Sequence, residues 1–260
     1  HATRGIHLRS RGVAIWELVV RRKPSGDPAQ VHARLLAALK TMPAPWKLQD
    51  PPRALPRDAA ATTTLRGTFG LGMSASATYL FRSDRHPDTA QFDDVFVFGF
   101  DPARIGLAVV GDKVLPRLVV SLDAYRASLS DRALQATDAV AIAEKMRATG
   151  VDLDGRHGIF RMSPLAYYDE HLLEAELKMS ARDFAARARG WVKPFHHGVL
   201  VAMPLEAGQR GQFESADEAL RALAIVGEAN AASEILLDDA KPGARLKSLL
   251  QVLTKARRRS

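Results

Sequence analysis

The sequence predicts an α+β fold: a mixed, largely antiparallel sheet with packed helices and a C-terminal amphipathic helix. Short runs of β-branched and aromatic residues, each of strand length, recur along the chain. Helical periodicity falls between and after them. The two kinds of segment do not alternate strictly, which argues against a parallel doubly wound sheet.

The elements follow in order. Residues 1–12, with Arg4, Arg9 and Arg11, form a basic N-terminal segment. Gly12–Val20 (GVAIWELVV) reads as the first strand. Asp27 is placed to cap a helix with Pro28 in its first turn, and Val31, Leu35, Leu39 and Met42 then share one face. Five prolines in residues 43–60 rule out a regular element, so this stretch reads as a surface loop anchored by Trp46. Residues 64–82 read as strand bent by glycines, residues 83–93 as loop, and Val95–Phe100 as a strand. Leu107–Val110 and Leu115–Leu122, flanking Gly111 and Asp112, read as a hairpin.

Ser130 or Asp131 caps a helix reaching about Thr149, with Ala136, Ala139, Val140, Ala143 and Met146 as its buried face and Gly150 as terminator. Leu165–Met179 reads as helical. Ser180 caps a further helix in which Phe184, Ala188 and Trp191 share a face, Gly198–Met203 is an apolar strand, and Ser215 caps a helix carrying Leu220, Leu223 and Val226. Residues 241–260 end the chain as a basic helix with Leu246, Leu249, Leu250 and Leu253 in one stripe. Residues 13–240 between the two basic ends are expected to form a single domain.

Composition narrows the chemistry. Of 260 residues, 47% are hydrophobic and 25% charged, as in ordinary globular proteins. There is no cysteine, so disulfides, thiolate zinc sites and cysteine nucleophiles are excluded, and a reducing, cytoplasmic location is the expectation. No apolar run approaches the roughly 20 residues of a membrane helix. The net charge of +8 favours an acidic partner, either another protein or nucleic acid. Lys255, Arg257, Arg258 and Arg259 are the candidate contact residues for such a partner.

Motif chemistry is sparse. Gly70-Leu71-Gly72 lacks the third glycine of a dinucleotide loop, so no cofactor is expected. Asp152-x-Asp154-x-x-His157 begins like a calcium loop, but Arg156 and Ser163 stand where oxygen ligands belong, so no metal site is expected and a side-chain-capped turn is the simpler reading. Glu176-Leu177-Lys178 with Asp154 upstream has the spacing of a magnesium-dependent nuclease, yet it fits a helix equally well. The adjacent His196 and His197 would point to opposite faces of a strand. If the chain is an enzyme, a hydrolytic site would centre on His157, Asp169, His171 and His196.

The order of features in Gly12–Val226 resembles that of bacterial polymorphic-toxin immunity proteins. The resemblance runs through GVAIWELVV, the helix PAQVHARLLAALKTM leading to Trp46, the strand at His197–Pro204 and the helix after Ser215. It implies a non-catalytic protein that binds and blocks one toxin. The alternatives from the residues themselves are nucleic-acid binding through the basic termini and hydrolysis at the His/Asp site.

Overall fold

The computed structural model describes residues 14–24, 27–48, 69–78, 93–188, 190–209 and 211–225. Among these residues seven strands form one sheet, β1 (Trp16–Arg22), β2 (Ser74–Thr78), β3 (Asp94–Phe100), β4 (Arg126–Asp131), β5 (Leu165–Asp169), β6 (Val192–Phe195) and β7 (Gly198–Ala202). Their spatial order is β2-β3-β1-β4-β5-β7-β6, and every neighbouring pair is antiparallel. The fold is therefore α+β, with an antiparallel sheet.

Alternation along the strands sorts the side chains onto two faces. Trp16, Leu18 and Val20 join Phe96, Phe98 and Phe100 in one core, which α1 (Pro28–Lys40) and α3 (Leu115–Leu122) cover. Val31, Leu35, Leu39 and Met42 all lie in this core, as their spacing predicts, and Trp46 is fully buried among them. Asp27 accepts the Gln30 amide at 3.0 Å and so caps α1. On the opposite face a second core forms under α5 (Glu170–Leu177), α6 (Ala181–Arg187) and α7 (Gln212–Ile225). Tyr167 belongs to the first core and its neighbour Tyr168 to the second. Strand β5 is thus covered on both sides.

Four expectations are corrected. Leu107–Leu122 is not a hairpin but one continuous helical path. It comprises α2 (Leu107–Val109), a π-helical turn (Val110–Val114) and α3. Val110, Val114, Leu118 and Leu122 recur every four residues and are buried. Gly111 is a close approach, because a Cβ there would lie 2.9 Å from the Leu165 side chain. Leu165–Met179 is strand then helix, split at Asp169, whose carboxylate accepts the Leu172 amide at 2.8 Å. Both tyrosines are buried, so the strand carries no alternation that would distinguish it from a helix. Helix α7 begins at Gln212, before Ser215. The Gln212 side chain bonds the Glu206 backbone twice at 3.0 Å, and the Ser215 amide already donates to Gly211.

The fourth correction bears on function. Asp131 does cap α4 (Arg132–Thr149), and Gly150, at φ +69°, ends it. Yet no α4 residue is buried: Val140 is 60% exposed and Met146 37%. Among the described residues Leu134 packs against the first core, and the stripe of Ala136, Ala139, Val140, Ala143 and Met146 enters neither core.

Candidate functional site

Helix α4 stands over the half of the sheet that the second core leaves uncovered. Between them runs a groove of about 790 Å³. Its floor comes from the outward residues of β1 and β4, with Glu17, Val19, Arg21, Arg126, Ser128 and Ser130 among them, and its wall from Ala136, Ala139, Ile142 and Met146 of α4. The floor is polar because alternate residues of β4 (RASLSD) are arginine and serine.

Ion pairs hold the groove's charges. Asp154 takes Arg126 at 2.6 Å and Arg21 at 3.5 Å, and also accepts the Phe160 amide at 3.1 Å. Burial raises the pKa of Asp154, but these cations and hydrogen bonds outweigh it and hold the carboxyl below its ordinary value. Arg161 grips Asp138 of α4 through two bonds of 2.6 and 2.7 Å, and Arg132 reaches Glu17 at 2.7 Å. These last two pairs tie α4 across the groove. Outside the groove's lining, the fully buried Asp93 accepts Arg156 at 2.6 Å and the Tyr125 hydroxyl at 2.6 Å. Burial first, then the Asp93 charge, push the Tyr125 phenol well up, so it stays a donor.

The loop 150–164 is fixed by this network. Asp152 accepts the Asp154 amide at 3.1 Å, which is the side-chain-capped turn the sequence suggests. Arg221 binds Asp217 at 2.8 Å and Glu176 at 2.5 Å, and donates to the Ile159 and Phe160 carbonyls. Glu176 also accepts the Ile159 amide. The nuclease pattern dissolves here. Glu176 and Lys178 lie at the end of a helix rather than on a strand, Arg221 occupies Glu176, and Lys178 donates to the Ala175 carbonyl at 2.6 Å.

Three of the four candidate catalytic residues line one depression, and the fourth, His157, meets one of them, His171. His157 and His171 are both exposed, with Nδ1 of His157 and Nε2 of His171 3.2 Å apart and their rings nearly perpendicular. Asp169, His171 and His196 line one open depression of about 510 Å³ beside Glu170, Arg182 and His197, and His157 is not among its lining residues. Burial raises the pKa of Asp169, although its bond to the Leu172 amide works against that. His196 and His197 form the two-residue turn between β6 and β7, with His196 at φ +51°. Because they occupy a turn and not a strand, their rings meet, 4.0 Å between centroids, instead of facing apart. His196 lies 3.7 Å from the Asp123 carboxylate.

Lys255, Arg257, Arg258 and Arg259 fall outside the described residues, as do residues 1–12 and 241–260 generally. Among the described residues no group of three or more His, Asp or Glu side chains is arranged to hold a metal ion. Nor is any helix among them long and apolar enough to cross a membrane. Sequence reasoning missed the groove and its Arg126–Asp154 pair. The visible signal was the polar alternation of Arg126, Ser128 and Ser130, which marks a sheet face that neither core covers among the described residues. Comparison with family models, with curated proteins and with solved structures finds no match for this chain.

Proposed function

We propose that this chain is a non-catalytic protein-binding protein, of the kind that neutralises a toxin by capping it. The observation that carries this reading is α4, an 18-residue helix with no buried residue, standing beside an open groove. Val140, Met146 and the following Val151 expose apolar surface along it. The carboxylates Asp93, Asp138, Asp154, Glu176 and Asp217 are all engaged by arginines, which suits a binding scaffold better than acid–base chemistry. The net charge of +8 favours an acidic partner.

The test is affinity capture from native lysate with the wild-type chain and a Val140→Glu/Met146→Glu variant. A discrete polypeptide retained by the wild type, and lost with the folded variant, supports the reading. Retention that ignores the variant, or no retained polypeptide, overturns it.

One observation favours a hydrolytic alternative: Asp169, His171 and His196 share a depression. Among the described residues no serine or threonine lines that depression, so the site they form would have to activate water directly. Hydrolysis of generic ester and phosphoester substrates that disappears in His171→Ala would establish that alternative.

A further inference from the structure

We propose that His157 and His171 form a two-imidazole chelate for a borderline divalent cation such as zinc, copper or nickel. Two metal–nitrogen bonds of about 2.0–2.1 Å at the tetrahedral angle place their nitrogens about 3.3–3.4 Å apart. The observed separation of 3.2 Å falls just short of that span. A cation bound there lies about 1.2 Å off the line joining the nitrogens, a displacement that follows from the same bond lengths. The hydrogen-bonded nitrogens face each other, so each ring must tilt by about 35° to aim its lone pair at the cation, a movement that the exposure of both rings permits.

The backbone holds both rings in place. His157 is flanked by Arg156, whose guanidinium is locked on buried Asp93, and by Gly158, where a Cβ would come within 3.0 Å of the Leu153 carbonyl. Two residues on, the Ile159 amide is bonded to Glu176. His171 sits in the first turn of α5, next to the Asp169 cap. The donors therefore belong to two separately anchored elements, and their approach costs little further ordering.

Without a cation, one imidazole N–H donates to the other ring's lone pair. On binding, His171 carries its proton on Nδ1 and His157 carries its own on Nε2, so both rings remain neutral ligands. Imidazole nitrogen selects zinc, copper and nickel over magnesium and calcium, which prefer oxygen. The remaining positions are filled by water or by a donor from a bound partner.

The experiment is isothermal titration of the full chain with zinc chloride, and separately with magnesium chloride, at pH 7.5. One zinc site is expected. Magnesium is expected to give no binding. His157→Ala and His171→Ala should each weaken zinc at least tenfold, while His196→Ala/His197→Ala should change it less than threefold. Absence of zinc binding, binding indifferent to His157→Ala, or binding lost instead in the His196/His197 variant overturns the proposal. Both rings are exposed, so folding of the variants is not in question, and circular dichroism confirms it.

Discussion

The guanidinium of Arg126 lies 2.6 Å from the carboxylate of Asp154, joining the floor of the groove to the loop that carries His157. Arg126 is almost wholly buried. Removing its partner strands a charge away from water. Asp154→Ala should therefore cost about 3–5 kcal/mol, the usual penalty for breaking a buried pair from one side. Urea denaturation measures this, and a loss under about 1 kcal/mol would mean that Arg126 finds water. The pH dependence has a definite sign. The folded pKa of Asp154 is depressed, so its stabilisation is complete above the unfolded range near pH 4 and is lost as the pH falls through the lower, folded value. The wild type should lose this component in acid, and the alanine variant should have none to lose.

Asp169 carries the opposite sign. Burial raises its folded pKa, so its charge costs stability above that pKa, and the cost disappears once the group is protonated in both states. Asparagine keeps the acceptor that caps α5 and removes the charge. Asp169→Asn should be at least as stable as wild type at pH 7, with the difference shrinking toward pH 3. Thermal melts across that range decide it, and a marked destabilisation at pH 7 would show that Lys23 and His171 outweigh burial.

Gly198 meets β5 more closely than any side chain allows. A Cβ would lie 2.0 Å from the Tyr168 carbonyl oxygen and 2.6 Å from the Asp169 Cα. Both are backbone atoms, so neither can swing aside. Gly198→Ala should cost at least about 3 kcal/mol by forcing β7 away from β5. Chemical denaturation reads the loss, and a near-wild-type midpoint would mean that β7 can move away from β5 at little cost.

Substitution on α4 should behave differently. Val140→Glu is expected to change stability by no more than about 0.5 kcal/mol, as at ordinary surface positions. Leu118→Ala, in the fully buried face of α3, should cost about 2–5 kcal/mol. If Val140→Glu instead proves strongly destabilising, the helix is a core element and the protein-binding reading loses its surface.

Most of the framework was legible before any coordinates. The caps at Asp27, Asp131 and Ser180, the stop at Gly150 and the burial of Trp46 all follow from local side-chain chemistry. Legibility failed where tertiary contact replaced the local rule. Gly111 looks like a turn residue until Leu165 is seen against it. The stripe of α4 looks like a core face because periodicity says which side is apolar, not what lies opposite. The meeting of His157 with His171 across two elements was beyond sequence reasoning. Naming both as candidates needed only their type and neighbourhood, and their distance needed the fold.

The two cores on opposite faces of the sheet also divide the chain's three tryptophans. Trp16 and Trp46 lie in one core and Trp191 in the other. The molecule is therefore an optical reporter of its own halves. With Trp191→Phe, emission would follow the first core, including the edge-on contact of Trp16 with Phe213 at the start of α7. With Trp16→Phe and Trp46→Phe, it would follow only the side beneath α5, α6 and α7. Coincident unfolding curves from the two variants would mean that the shared strand β5 makes the halves melt together.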